Sequence, residues 1–177
     1  MVADGMRRLF VTSLTFALLS PATASAAPVR VDHHRAADGV RFTLTVAQAL
    51  DGADRARFAF TERAADGDTG RIAVPAVGLA TRRPLLVGTG IGCGPPAATA
   101  VYGTVRASAR RVVATTTDGD AYRLRRVRAP ERWKYGGWVV GRVMGGPQEV
   151  ERVEAFNRRG KRMASAQFGA PATCPAG

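Results

Sequence analysis

The chain has 177 residues, of which 26 are Lys or Arg and 14 are Asp or Glu, so its formal net charge is +12. Hydrophobic residues make up 46% and charged residues 23%. These values are typical of globular proteins and exclude a disordered, collagen-like or polytopic membrane protein.

Residues 1–26 have the three parts of a secretory signal peptide. Arg7 and Arg8 form a basic n-region, an apolar stretch covers residues 9–19, and the sequence Ala-Ser-Ala at 24–26 is a small-residue cleavage site. The apolar stretch, at about 11 residues, is much shorter than the roughly 20 that cross a bilayer. We therefore expect cleavage after residue 26 and a secreted product, free in the surroundings or associated with the cell wall. Both Sec and twin-arginine export remain open.

The first half of the mature chain, residues 27–88, alternates apolar and polar residues as strands do. The clearest alternating positions are Phe42, Leu44, Val46, Phe58 and Phe60, and residues 72–77 and 85–87 predict further strands. The composition of residues 44–65 also permits a helix, but Gly52 and the aromatic alternation favour strands. Residues 89–96 contain three glycines and two prolines, which predicts an irregular loop.

The second half, residues 97–168, continues the pattern and is followed by a tail at 169–177. The strand predictions here are 101–105, 112–117, 122–127, 138–142, 153–156 and 163–168. Asp118-Gly119 predicts a hairpin with a type I′ turn. Short strands at this spacing indicate an all-β antiparallel sandwich, and one shared core is easier to stabilise at this size than two very small domains. We therefore expect a single domain over residues 27–177.

Part of the second half resembles a recurring pattern in small exported proteins of GC-rich actinobacteria. The segments that carry the resemblance are V-Y-G-T-V at 101–105, the strand beginning at Val112, T-D-G at 117–119, W-V-V at 138–140, V-E-A-F at 153–156 and R-G-K at 159–161. The resemblance implies an immunoglobulin-like β-sandwich, in a group that mostly has no assigned activity, and it transfers no catalytic residue. The use of 24 arginines against 2 lysines fits a GC-rich genome.

Two cysteines, Cys93 and Cys174, are present. In an exported protein they are expected to form one disulfide with each other, which would attach the tail to the middle of the chain. A reactive thiol is the alternative, although neither cysteine has a histidine near it in sequence.

No catalytic residue, metal ligand or cofactor site is predicted. The residues considered for such chemistry are Ser108, Ser165, Asp32, His33, His34, Asp66, Asp68, Glu149, Glu151 and Glu154. Neither serine lies in a nucleophile motif, and adjacent histidines on a strand point to opposite faces. The aspartates at 66 and 68 are too few for a calcium loop and are typical of a turn. A pair of catalytic acids is recognised only by its separation in space, so a secreted hydrolase remains an alternative.

Positive charge is concentrated in the second half. Residues 101–168 hold 15 basic and 6 acidic residues, whereas residues 27–100 hold 9 and 7. The arginines predicted to bind anions are Arg110, Arg111, Arg123, Arg125, Arg126, Arg128 and Arg132. On one continuous strand, Arg123 and Arg125 would share a face and form a row of guanidinium groups suited to phosphate, sulfate or carboxylate.

Aromatic residues are interleaved with these cations. Trp133, Tyr135 and Trp138 are candidates for stacking against a ligand, while burial in the core is the alternative role for each tryptophan. Arg158, Arg159, Lys161 and Arg162 form a second cluster near a predicted turn. A solvated charged surface that limits aggregation is the alternative role for the basic residues as a whole.

These observations favour a non-catalytic exported protein that binds anionic polymers of the cell envelope or extracellular material. A protein-binding or inhibitor module, using residues 88–96 or 133–137, is another alternative. Nucleic acid is expected only as an adventitious ligand, because any dense basic surface gains affinity from counterion release. The sequence does not predict an oligomeric state.

Overall fold

The structure, a computed structural model, describes residues 27–48, 55–72, 74–93 and 96–169. The strands in these ranges are β1 (Val29–Arg35), β2 (Arg41–Gln48), β3 (Arg55–Arg63), β4 (Thr69–Ile72), β5 (Val77–Gly78), β6 (Leu85–Gly92), β7 (Ala98–Val105), β8 (Arg111–Thr116), β9 (Ala121–Arg123), β10 (Arg125–Arg128), β11 (Trp138–Gly145), β12 (Val150–Phe156) and β13 (Arg162–Gln167). One 3₁₀ turn, Glu131–Trp133, precedes β11. The predicted all-β antiparallel class is confirmed. The predicted signal peptide and Cys174 lie outside the described residues.

The strands form three antiparallel sheets. The front sheet has the order β1-β2-β3-β4, with β5 also pairing with β3. The middle sheet has the order β10-β11-β7-β6, and the back sheet has the order β13-β12-β8-β9. The strands up to residue 92 thus form the front sheet and β6, while the strands from residue 98 onward form the rest.

The middle sheet is covered on both faces. Tyr102 and Val139 pack with the front-sheet residues Phe42 and Phe60 in one hydrophobic cluster. Their neighbours along the same strands, represented by Val101, pack with the back sheet in a second cluster. All eight residues of β7 are buried. Its sequence, ATAVYGTV, is a continuous run of small and apolar residues of the kind that suits a fully buried strand.

Four hairpin loops in the described residues share one turn geometry. Between β8 and β9, the N–H of Thr116 donates to the Asp120 carbonyl (2.9 Å), and the N–H of Gly119 donates to the Thr116 carbonyl (3.0 Å). Gly119 has φ +87°, whereas Asp118 is not among the residues with positive φ. The predicted type I′ turn is therefore wrong, and the connection is a three-residue loop with a left-handed glycine in its third position. The same hydrogen-bond pattern surrounds Gly39, Gly67 and Gly160.

Strand β6 extends farther than the sequence indicated. Residues 89–92, predicted as part of an irregular loop, pair in register with β7. The glycines here make room for side chains from neighbouring segments: a Cβ on Gly88 would lie 3.0 Å from the Tyr102 ring, and one on Gly90 would lie 2.6 Å from Val74. The absence of a side chain thus allows close packing against a regular ladder, rather than ending the ladder.

A buried carboxylate joins the front sheet to the middle sheet. Asp32, on β1, is 2% exposed. Its Oδ2 accepts a hydrogen bond from the backbone N–H of Val143 (2.9 Å), and its Oδ1 lies 3.4 Å from Nη1 of Arg125. Val143 lies beyond the last pair between β10 and β11, which joins Arg125 to Gly141. Asp32 therefore satisfies a backbone donor that β10 does not reach.

We predict that Asp32→Ala lowers the free energy of unfolding by about 1–3 kcal/mol, because the Val143 N–H loses its acceptor in a buried position. The Arg125 side chain is 55% exposed, so Arg125→Ala should cost less than about 1 kcal/mol. Asp32→Asn keeps an oxygen acceptor and should recover part of the loss. Urea unfolding followed by tryptophan fluorescence measures all three. Equal losses in Asp32→Ala and Arg125→Ala would show that the ion pair, and not the backbone contact, is the main interaction.

Candidate functional site

The strongest concentration of sequence-predicted residues lies where the chain passes from the back sheet to the middle sheet. The predicted strand through 122–127 is interrupted at Leu124, which is buried and separates β9 from β10. The N–H of Leu124 donates to the carbonyl of Val112 (2.9 Å), which continues the register of β9 against β8 by one residue before the chain enters β10. Because the strand is broken here, the arginines on its two sides do not form the continuous row expected from sequence.

We call this region the basic corner and define it by three arginines: Arg110, Arg123 and Arg126. Nη1 of Arg126 donates to the carbonyl of Ala109 (2.6 Å), and its guanidinium lies 4.9 Å from the centre of the Trp138 ring. Burial, together with the positive charges of Arg110 and Arg123, lowers the pKa of Arg126. In the described part of the chain, no carboxylate forms an ion pair with any of the three. The corner thus has a local excess of positive charge.

The other predicted arginines lie elsewhere. Arg125 pairs with Gly141 and turns toward the front sheet and Asp32, whereas its neighbour Arg126 pairs with Val140 and faces the opposite way. The guanidinium of Arg111 lies 4.6 Å from the centre of the Phe156 ring on the back sheet. Arg128 and Arg132 are exposed. The structure therefore divides the predicted set between two sides of the middle sheet.

The aromatic candidates differ in exposure. Trp133 is 4% exposed and belongs to the core between the front and middle sheets. Tyr135 is half-buried against the same core, and burial raises its pKa to about 12. Trp138 is half-buried, donates from Nε1 to the carbonyl of Ala107 (3.2 Å), and contacts Arg126. Of the three, Trp138 is the one that the structure brings to the basic corner.

The remaining chemistry-bearing residues are dispersed. Ser108 lies in an exposed turn, and Ser165 lies on the exposed face of the back sheet. Glu154 contacts Arg152 (3.5 Å) and Arg162 (2.8 Å). Within the described ranges, no group of three or more His, Cys, Asp or Glu residues is placed to hold a metal ion.

The two histidines and the two candidate turn aspartates lie as their sequence contexts indicated. His33 pairs with Thr43 on the outer face of the front sheet, while His34 pairs with Phe42, whose side chain is in the core. The Oδ1 of Asp66 accepts the N–H of Asp68 (3.1 Å) within the 64–68 turn. Cys93 is exposed immediately after β6, and its expected pairing with Cys174 stays a prediction.

Sequence reasoning missed a second set of arginines, on the front sheet. Arg35 pairs with Arg41, and Arg41 pairs with Arg63, so three arginines lie side by side on β1, β2 and β3. We call them the front-sheet arginine row. Their side chains are exposed on the face opposite the buried Phe42. The strand registers that place Arg35 and Arg63 beside Arg41 cannot be read from the sequence.

Compared with known proteins, the chain matches no protein-family model, no curated protein and no solved structure. In the residues that the structure describes, no helix is long and apolar enough to cross a membrane.

The contact between Arg126 and Trp138 predicts an optical signal for anion binding at the basic corner. In a Trp133→Phe variant, Trp138 is the remaining tryptophan, and its fluorescence should change on titration with inorganic pyrophosphate because an anion would alter the position of the guanidinium over the indole ring. A matched Trp138→Phe variant, which retains Trp133, should show no comparable change. An equal response in both variants would contradict binding at this corner.

Proposed function

We propose that this chain is a non-catalytic exported protein that binds an anionic polymer of the cell envelope or of the extracellular surroundings. Binding takes place at the basic corner, through Arg110 and Arg123 with Arg126 and Trp138 behind them. The other predicted arginines contribute general attraction for a negatively charged partner. Nucleic acid would bind only through the same general attraction.

The observation that carries the proposal is the placement of Arg126 against Ala109 and Trp138, within the electrostatic influence of Arg110 and Arg123, while none of the three arginines has an ion-paired carboxylate in the described residues. Repulsion among like charges opposes such an arrangement, and an anionic ligand would relieve it. Arginine forks match phosphate, sulfate and carboxylate groups through two parallel hydrogen bonds. Arg126 is held in place by Ala109 and Trp138, so part of the site is already ordered before a ligand arrives.

The proposal also includes export of the protein and the type of its β-sandwich. Cleavage after residue 26 releases the mature chain outside the membrane, where a Cys93–Cys174 disulfide can persist. We propose that the fold is an immunoglobulin-like sandwich, as the resemblance implies; the packing of the front and middle sheets across one core supports this. The back sheet packs on the other face of the middle sheet and carries Arg110 and Arg123 near its junction with that sheet.

The test compares two variants with the same loss of charge. Arg110→Gln/Arg123→Gln removes two exposed cations from the basic corner, and Arg158→Gln/Arg159→Gln removes two from the exposed turn after β12. Binding of the oxidised mature protein to dextran sulfate and to isolated cell wall is measured from about 50 to 200 mM salt. The corner variant should bind about 5- to 30-fold more weakly and depend less steeply on salt, which corresponds to about 1–2 kcal/mol.

The turn variant is the control for charge alone. It should keep most of the affinity because its arginines lie outside the proposed site. Equal weakening of the two variants would show that affinity follows net charge, and would overturn the assignment to the corner. Absence of binding by the unmodified protein at low salt would overturn the proposed function itself.

A further inference from the structure

A second basic surface lies on the front sheet. In the antiparallel pairs Arg35 with Arg41 and Arg41 with Arg63, directly opposite side chains have Cβ atoms about 4.5–5.5 Å apart. Like charges in this position destabilise a sheet. In the described ranges, no carboxylate forms an ion pair with these three arginines, because the ion pairs there involve Arg125, Arg152 and Arg162 instead. The front-sheet arginine row is thus a concentration of positive charge without an ion-paired carboxylate in those ranges.

The arginine row is the shared wall of two depressions. One has a volume of about 430 Å³ and is also lined by Arg30, His33, His34 and Thr43. The other has a volume of about 400 Å³ and is also lined by Gly39 and the 64–67 part of the next turn. Each is within the size range of small-molecule sites, and each is larger than an isolated oxyanion requires. A ligand that fills either depression therefore has a body beyond its anionic group.

We infer that the front-sheet arginine row is a distinct binding site for a sugar that carries a phosphate or sulfate monoester. A monoester of this kind presents three terminal oxygens, one for each guanidinium, whereas a carboxylate presents two. The imidazole of His33 and the hydroxyl of Thr43 line the larger depression beside the row and provide hydrogen-bonding groups for sugar hydroxyls. The charged group binds at the row, and the sugar ring occupies the adjoining depression.

The position of Asp66 fits this arrangement. Asp66 lines the smaller depression, and its carboxylate accepts the N–H of Asp68 within its own turn. A negative charge there disfavours a second anionic group on the same side of the row. The larger depression has no aspartate or glutamate in its lining, so it is the side that receives the sugar.

The site differs in position and ligand from the basic corner. The arginine row lies on the outer face of the front sheet, whereas the basic corner lies at the junction of the back and middle sheets. Each can therefore be tested without the other. Failure of sugar-monoester binding would leave polymer binding at the corner intact.

Calorimetric titration of the mature protein with glucose 6-phosphate, glucose 6-sulfate and glucuronic acid tests the inference. Both monoesters should bind, and the stronger of the two identifies the source of the oxyanion. Glucuronic acid should bind at least about tenfold more weakly because it lacks the third oxygen. Arg41→Gln/Arg63→Gln should weaken monoester binding by about 10- to 100-fold, since it removes two charge-assisted contacts.

Two controls separate the site from general charge. Arg55→Gln/Arg57→Gln removes the same charge from the opposite end of β3 and should bind the monoesters like the unmodified protein. Without ligand, Arg41→Gln/Arg63→Gln should raise Tm by about 1–4 °C because it removes like-charge repulsion, so a loss of binding cannot be attributed to unfolding. No monoester binding, equal binding of glucuronic acid, or equal loss in the Arg55/Arg57 control would each overturn the inference.

Discussion

Strand β7 of the middle sheet is buried on both faces, and the rest of the structure depends on that constraint. A strand in this position must present apolar or small residues in both directions, as β7 does along its whole length. The front and back sheets cover it and bury one face each, so each retains one polar face. Charged side chains that a two-sided core excludes are consequently gathered on those outer faces and at the points where the chain changes sheets. The buried centre of the protein therefore confines its basic residues to the surface.

The alternation of apolar and polar residues correctly predicted the buried positions of strands that have one solvent-exposed face. Phe42 and Phe60 alternate with polar neighbours and lie in the core, as their pattern predicts. It was less informative for the middle sheet, because a strand buried on both faces has no polar alternation to read. The glycines of β6 misled for a related reason: the close approach of the Tyr102 ring to Gly88 is a tertiary contact that composition does not reveal.

The same limit applies to the candidate sites: the sequence reveals residues that are close in the chain, but not residues that strand pairing brings together. The sequence identified the arginines near 123–126, because they are close together in the chain, but not the break at Leu124 that separates Arg123 from Arg125. By contrast, Arg35, Arg41 and Arg63 lie on three different strands, and the registers of β1 against β2 and of β2 against β3 bring them together. The net charge of the first half did not reveal the front-sheet arginine row. This half is nearly neutral, although the three arginines of the row share one face of the front sheet.

Asp32 also protects the molecule from pairing with strands of other chains. A row of unpaired backbone groups at the border of a sheet invites a strand from another chain. The N–H of Val143, beyond the end of β10, would be such a group, but it donates a hydrogen bond to the side chain of Asp32. Loss of β1 by proteolysis would therefore do more than remove one strand from the front sheet. It would uncover part of the border of β11 and create a template for strand addition between molecules.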